Sequence, residues 1–254
     1  MSRPARVLSR TGMYHIIFRG INRQNLFEDE KDFSKLLEIT EKVKKEFDFE
    51  LYAYCFMTNH VHLFLKEKNK GDIKPIMHKI LSVYVSWYNN KYQRSGSLIG
   101  NRYKSEPIEN EKYYLSLIRY IHQNPLKANM VRLLQDYLWS SYNSYISEGN
   151  NSVVDTDFAL EMFSKNKKNA VKAFKDFHKV FDDENFELSE GIRPTDEQLK
   201  RKMLEIADVE EISDIALKDK KTRNAILRSL RNKGFSIRDI ERLTGISRGV
   251  ISRA

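Results

Sequence analysis

The sequence has little of what cross-links a chain or anchors it in a membrane. Its single cysteine, Cys55, lies in an apolar segment and cannot form an internal disulfide. A lone cysteine is typical of a reducing compartment, so we expect a cytoplasmic protein. The sequence lacks an apolar run near the ~20 residues that span a bilayer, and its basic first residues lead into no apolar signal segment. These absences predict that a membrane is not a partner.

Acidic residues are also in deficit, with 35 Asp and Glu against 44 Lys and Arg, and the formal net charge is +9 over 254 residues. Hydrophobic residues make up 41% and aromatic residues 11% of the chain, which predicts a globular rather than a disordered protein. The length allows one sizeable core and a smaller second unit. The basic surplus favours a polyanionic partner, and nucleic acid is the better candidate because no membrane signal is present.

Alternating and helical patterns in the first half of the chain predict the order β-α-β-β-α-β-α. The predicted helices cover 29–47, 72–92 and 110–124, and the predicted strands cover 13–21, 49–58, 60–68 and 102–110. The first six elements match the ferredoxin-like pattern, an α+β fold with helices on one face of an antiparallel sheet. We expect the last helix to stop at Pro125, because the residue before a proline avoids the α region.

Composition divides the chain into three predicted parts. Residues 1–147 hold the α+β pattern, 148–194 hold a further helical stretch and an acidic, turn-rich linker, and 195–254 are helical throughout. We therefore expect a larger α+β domain followed by a small all-α domain.

The C-terminal tail is strongly basic, with ten Lys and Arg against two acidic residues between positions 220 and 254. Its apolar pattern around Gly245 predicts two short helices with the spacing of a helix-turn-helix. The tail resembles DnaA-like and Trp-repressor-like modules, which implies that Arg248, Ser252 and Arg253 face a DNA major groove. A helical bundle that only stabilises the fold is the alternative interpretation.

The segment YCFMTNHVHLFL, residues 54–65, carries two histidines one residue apart in an apolar strand. Residues i and i+2 of a strand share a face, so His60 and His62 project together. Two neutral imidazoles side by side suit a divalent metal, although they could also line an ordinary strand face. We expect His15, on the first predicted strand, and His122, on the predicted helix before Pro125, to be structural or surface residues.

Tyr120 and Asn124 are four residues apart on a predicted helix and therefore share one of its faces. Tyr120 is either a core tyrosine or a residue that points its hydroxyl at something bound by the histidines. Asn124 either completes a metal's coordination with its amide oxygen or caps the helix end. The spacing alone leaves both pairs of alternatives open.

The motif MTNHVHLF, followed about 60 residues later by LIRYIHQNPLKANMV, resembles the single-tyrosine HUH transposases, in the branch of REP-associated tyrosine transposases. The segments YHIIFRGINRQNLF and RYKSEPIENEKYYL extend this resemblance over roughly residues 8–145. The resemblance implies an HUH nuclease fold, with Mg²⁺ or Mn²⁺ bound by His60, His62 and Asn124. It also implies that Tyr120 is the nucleophile. Two nearby rivals that lack the following IHQNP context are Tyr113 and Tyr114.

The resemblance implies an enzyme that nicks and rejoins single-stranded or hairpin DNA through a 5′-phosphotyrosine, as a monomer or homodimer, at the bacterial nucleoid. Expected DNA contacts, each of which could instead be a solvated surface group, are Arg19, Asn22, Arg23, Arg102 and Lys104. A non-catalytic DNA-binding regulator that uses only the C-terminal helices is the main alternative. An HUH enzyme of replication origins or plasmid transfer would carry the same residues.

Overall fold

The computed structural model describes residues 7–110, 112–147, 153–180, 196–209, 211–232, 235 and 237–253. The chain forms two compact units, 1–188 and 189–254. The predicted three-part division stays a prediction, and parts of its linker lie outside the described residues. Within the described ranges, no helix is long and apolar enough to cross a membrane.

The N-terminal unit is built on a four-stranded sheet, and its elements follow the predicted order. The strands are β1 Met13–Arg19, β2 Glu50–Met57, β3 His60–Lys66 and β4 Lys104–Pro107. The helices are α1 Glu30–Phe47, α2 Ile73–Lys91, α3 Lys112–Lys127, α4 Tyr142–Ile146, α5 Asp157–Glu161 and α6 Lys167–Phe177. All strand pairs are antiparallel in the order β2-β3-β1-β4, so the ferredoxin-like α+β fold is confirmed.

Strand alternation gives the sheet two different faces. Ile16 of β1 and Leu63 of β3 pair on one face. On this face the ring of Phe27 contacts Phe56 of β2, and it also contacts one ring of α1 and one of α2. Helix α3 covers the opposite face, where Tyr114 packs on the strands. The two helices of the ferredoxin-like unit thus share a face as predicted, and α3 adds a layer on the other.

Helix α3 does not stop before Pro125, as we predicted, but continues to Lys127. Proline lacks the N–H that would bond the carbonyl of Ile121. The side-chain amide of Asn124 donates instead to the carbonyls of Tyr120, at 2.8 Å, and Ile121, at 3.4 Å. The prediction was wrong because a neighbouring side chain replaces the backbone hydrogen bond that the proline removes.

Strand β2 contains a bulge at its start. Leu51 pairs with Leu65 and Ala53 pairs with Phe64, so Tyr52 is an extra residue between them. The ring of Tyr52 contacts Tyr114 of α3 at a centroid distance of 4.9 Å. The bulge therefore supplies part of the surface on which α3 rests.

The C-terminal unit consists of helices throughout its described part. They are α7 Asp196–Ala207, α8 Asp214–Leu217, α9 Lys220–Asn232, α10 Ile237–Thr244 and α11 Arg248–Arg253. Its fully buried side chains are Met203, Ile215, Leu227, Leu230, Ile240 and Ile251. Gly245 ends α10 with a φ of +72°, a left-handed conformation that favours glycine. The unit thus contains two short helices around Gly245, and their role as a helix-turn-helix stays a prediction.

Candidate active site

Three imidazoles meet on the sheet face that α3 covers. Strands β1 and β3 pair antiparallel, with Arg19 opposite His60 and Ile17 opposite His62. Alternation then places His15 on the same face as both histidines of β3. His15 and His62 are fully buried, and His60 lies at the partly exposed end of the strand.

The structure brings Tyr120 to these histidines. Its ring lies edge-on to His62, with centroids 5.8 Å apart, and to His15, with centroids 6.1 Å apart. Tyr120 is 6% exposed, whereas Leu117 and Ile121 on the same helix are completely buried. Tyr120 is therefore both packed against the imidazoles and within reach of the surface.

The two rival tyrosines lie elsewhere on α3. Tyr114 is completely buried and contacts the rings of Tyr52 and Phe64. Burial raises the pKa of its hydroxyl far above the ordinary value, which disfavours a nucleophilic role. Tyr113 is 49% exposed at the start of the helix. The geometry thus favours Tyr120 among the three candidates.

The proton position on His60 is fixed by its neighbour Asn59. The Asn59 Nδ2 group donates to the carbonyl of Arg23 at 3.4 Å, which turns Oδ1 toward Nδ1 of His60 at 2.7 Å. An amide oxygen only accepts hydrogen bonds, so the Nδ1 atom of His60 carries the proton and its Nε2 atom has the free lone pair.

His62 makes its own contact with another imidazole. Its Nδ1 atom lies 3.1 Å from Nε2 of His15. The outer nitrogens, Nε2 of His62 and Nδ1 of His15, are buried and have no hydrogen-bond partner within the described part of the chain. A buried polar atom without a partner is uncommon in proteins and calls for an explanation, such as an ion.

Burial keeps these imidazoles neutral. It lowers the pKa of His15 to about 3, and together with the nearby positive charge of Arg19 it lowers the pKa of His60 to about 4. The pKa of His62 is shifted well below its ordinary value, by burial first and then by repulsion from His15. All three therefore hold a lone pair at neutral pH, which is the form that binds metals.

Asn124 and Lys127 surround Tyr120 on α3. The Asn124 side chain directs its Nδ2 atom at the Tyr120 carbonyl, so its Oδ1 atom is the side on which it could accept or ligate. Lys127 places its Nζ atom 4.9 Å from the centre of the Tyr120 ring. The predicted nucleophile thus lies next to a cation and one helical turn before a carboxamide.

The donor set fits a divalent metal at the Nε2 atoms of His60 and His62. The best structural support is the Nε2 atom of His62, which is buried and has no hydrogen-bond partner among the described residues. Among the described residues, no three His, Cys, Asp or Glu side chains form a metal-binding cluster. The predicted third ligand, Asn124, would offer an amide oxygen and is not one of those residue types.

Three predicted DNA contacts lie beside the histidines. Arg19 pairs with His60 across the β1–β3 ladder, and the carbonyl of Arg23 accepts from Asn59. Asn22 and Arg23 follow β1 in an exposed turn, both with positive φ. Positive charge is therefore concentrated at the end of the sheet where His60 lies.

The other two predicted DNA contacts of the N-terminal unit, Lys104 and Arg102, lie in different places. Lys104 of β4 lies opposite Ile17, on the face that carries the histidines. Arg102 is exposed and lines a groove of about 500 Å³ with Lys74 of α2. None of the residues that line this groove is His60, His62 or Tyr120.

In the C-terminal unit, Arg248 forms an ion pair with Glu241, which neutralises part of its charge. Ser252 is exposed on α11. The side chain of Arg253 lies outside what the structure describes. DNA contact by these three residues stays a prediction.

Sequence reasoning missed His15, Asn59 and Lys127. In the ferredoxin-like order β1 lies next to β3, so strand alternation could have placed His15 beside His62. Lys127 is seven residues, or about two turns, after Tyr120 and therefore on its face of the helix. Asn59 had no sequence signal beyond being next to His60.

Residues 9–124 match the family model described as IS200-like transposase. A solved structure of a REP-associated tyrosine transposase bound to a REP hairpin has 20% identity and a TM-score of 0.50, over 62% of this chain and 96% of that one. A structure from Deinococcus radiodurans, provisionally assigned as a transposase, has 19% identity and a TM-score of 0.34 over 48% of this chain and 95% of that one, too low to carry an argument. No curated protein matches the chain significantly.

The first of these structural likenesses supports the fold, and the family match covers the strands and helix that carry the histidines and Tyr120. A DNA-processing role of the transposase kind follows from that match. Residues 9–124 of the N-terminal unit are thus similar to the IS200-like transposases.

Proposed function

We propose that the protein cuts and rejoins single-stranded DNA, at or near a hairpin, through a covalent bond to Tyr120. The observation that carries this proposal is the packing of Tyr120 against His62, whose buried Nε2 atom has no hydrogen-bond partner in the part of the chain that the structure describes. A candidate nucleophile and a neutral imidazole thus lie in contact under α3.

In the proposed reaction the Oη atom of Tyr120 attacks the phosphorus of a phosphodiester. A bond forms between Oη and phosphorus, and the bond from phosphorus to the 3′ oxygen breaks. The phenolic proton passes to solvent or a base, and the departing 3′ oxygen takes up a proton. The products are a 5′-phosphotyrosine and a 3′-OH, so attack by a second 3′-OH reverses the step without ATP.

The residues of the site have separate tasks in this reaction. His60 and His62, with Asn124 as the third ligand, would hold Mg²⁺ or Mn²⁺. Such an ion stabilises negative charge on the phosphate and on the departing oxygen. Packing against two rings fixes the Tyr120 side chain, which provides the proximity that such a weak nucleophile needs.

The proposed substrate is DNA that is at least partly unpaired. Support comes from the cations around the site, Arg19, Arg23 and Lys127, which suit phosphates. A solved structure with a similar fold is that of a transposase bound to a REP hairpin. We propose that the C-terminal helices add a second DNA contact, and that the protein works as a monomer or homodimer at the nucleoid.

The test is a covalent adduct. The full-length protein is incubated with a labelled single-stranded hairpin and Mn²⁺, and SDS-resistant label on the protein is measured. We expect an adduct with the wild type and with Tyr113→Phe, and none with Tyr120→Phe, which should still bind the hairpin. An adduct in Tyr120→Phe would move the nucleophile elsewhere. DNA binding without an adduct in the wild type would favour a non-catalytic regulator.

A further inference from the structure

The ring of His62 contacts His15, which we expected from the sequence to be a structural or surface residue. We propose that His15 is a positioning residue, which accepts a hydrogen bond from Nδ1–H of His62 and so keeps the His62 Nε2 atom as a lone pair. The inference rests on the proposed function only in that this lone pair would bind the metal.

The geometry of the two rings allows only one proton between them. Nε2 of His15 and Nδ1 of His62 are 3.1 Å apart, the ring centroids are 5.3 Å apart and the ring planes differ by 18°, so the rings meet edge to edge and one N–H lies between the two nitrogens. Each neutral imidazole carries one ring proton. The position of the shared proton therefore decides where the second proton must be.

The two possible arrangements differ in their consequence for a metal. If His62 donates from Nδ1, its Nε2 atom has a free lone pair. The proton of His15 is then on the Nδ1 atom of His15. If His15 donates instead, the proton of His62 is on Nε2, and that atom cannot ligate. The position of this one proton therefore decides whether the Nε2 atom of His62 can bind a metal.

The neighbouring histidine, His60, has a hydrogen-bond acceptor that fixes its tautomer in the same way. At His60, the oxygen of Asn59 accepts from Nδ1 at 2.7 Å, which leaves Nε2 as a lone pair. In metal sites, the second ring nitrogen of a histidine ligand is ordinarily held by such a partner. His15 is the group that contacts the corresponding nitrogen of His62. The two acceptors, Asn59 and His15, would give both imidazoles the same tautomer.

Burial makes the arrangement specific. His15 is completely buried and His62 is 1% exposed, so bulk water does not compete for their nitrogens. His15 projects from β1 and His62 from the adjacent β3, and the antiparallel ladder holds their backbones in register. His15 is therefore held by the sheet itself rather than by a loop.

The first experiment reads the tautomer directly and needs neither DNA nor metal. Long-range ¹H–¹⁵N correlation spectra are recorded on the ¹⁵N-labelled, metal-free protein at neutral pH, with the six histidines assigned by single substitutions. We expect His62 to be protonated on Nδ1 and unprotonated on Nε2. A proton on Nε2 of His62 would overturn the proposal.

The second experiment measures Mn²⁺ affinity by calorimetry in three variants. In His15→Phe a ring remains but the acceptor is lost, and we expect the affinity to fall about 10- to 100-fold. In His15→Gln the Oε1 atom can replace Nε2 as acceptor, and we expect affinity within about threefold of the wild type. His78→Phe, which removes an exposed histidine of α2, is the control and should bind as the wild type does.

The variants also separate positioning from packing. Equal Mn²⁺ affinity in His15→Phe and the wild type, with both folded by circular dichroism, would refute the role of His15. Equal weakening in His15→Phe and His15→Gln would show that His15 acts through its bulk or as a ligand itself. If the wild type bound no Mn²⁺, the proposed metal chemistry would fail, and the tautomer spectrum would still decide the hydrogen bond.

Discussion

Two pairs of buried histidines in the N-terminal unit make nearly the same contact. The site pair, His15 and His62, has a nitrogen–nitrogen distance of 3.1 Å, and the helix pair, His122 and His178, one of 3.0 Å. Burial lowers the pKa of all four imidazoles below the ordinary value. At neutral pH each pair therefore holds two protons on four nitrogens.

The outer nitrogens distinguish the two pairs. In the helix pair, Nδ1 of His178 donates to the carbonyl of Phe174 at 2.9 Å, and Nε2 of His122 accepts from the hydroxyl of Ser141 at 2.7 Å. In the site pair both outer nitrogens lack a partner within the described part of the chain. In the helix pair, where the outer nitrogens have partners, the contact holds α3 to the end of α6. In the site pair, where they lack partners within the described residues, the outer nitrogens are open to a ligand.

The largest expected effect separates the pairs by activity. His62→Phe should slow formation of the DNA adduct at least about 100-fold, because a ring remains but the metal-binding lone pair is lost. His178→Phe makes the matched change in the helix pair and should alter the rate less than about twofold. The adduct is measured over time with hairpin DNA and Mn²⁺. A similar loss in both variants would show that the pairs act as one unit.

The second effect separates the pairs by stability. His178→Phe leaves the Nδ1–H group of His122 unpaired in the interior, whereas the Phe174 carbonyl keeps its hydrogen bond from the backbone N–H of residue 178. An unpaired buried group costs about 1–3 kcal/mol, so we expect the free energy of unfolding of the N-terminal unit to fall by about that amount. His62→Phe should cost less, because it also removes a nitrogen that has no partner within the described part of the chain. Urea unfolding followed by far-UV circular dichroism measures both.

The stability difference should also depend on pH. Burial lowers the pKa of His178 from an ordinary 6.5 to about 4, so below pH 6.5 the unfolded chain binds more protons than the folded one. Stability from the neutral imidazole is present above about pH 6.5 and is lost as the pH falls toward 4. The advantage of the wild type over His178→Phe should therefore shrink by about 2 kcal/mol between about pH 7 and about pH 5. A constant difference would contradict a buried, neutral His178.

The smallest effect concerns the cation next to the site pair. Lys127→Met removes the charge 4.9 Å from the Tyr120 ring and should slow adduct formation about two- to fivefold, the size of an exposed cation–π contact. Lys127→Arg keeps the charge and should retain most of the rate. Both are measured in the assay used for His62→Phe. Equal rates in Lys127→Met and the wild type would remove Lys127 from the site.

Much of the fold could be predicted from the sequence, because strand and helix periodicity are local signals. Alternation placed His60 and His62 on one face, and the element order predicted the ferredoxin-like sheet. The end of α3 was mispredicted because the rule for the residue before a proline takes no account of a side chain such as Asn124 that replaces the lost hydrogen bond.

The candidate site was predictable only in part. His60, His62 and Tyr120 carry recognisable motifs, and the structure brings their rings together. The part of His15 depends on which strands are neighbours and on which ring nitrogens lack a partner, and neither is a property of a local pattern. Arg102 was predicted to be a DNA contact on the fourth strand; it precedes β4 and lines the groove beside α2, and its contact with DNA stays a prediction.

Because of the bulge at Tyr52, the start of β2 can change in length without shifting the register between the rest of β2 and β3. From Ala53 to Met57, β2 pairs in register with β3 up to His60, and the extra residue lies on the far side of that segment. A one-residue insertion or deletion before Ala53 can therefore be taken up by enlarging or removing the bulge, and the histidines keep their face. The same change between Ala53 and His60 would force half of the hairpin to slip. Natural length variation in this strand should accordingly be confined to its first few residues.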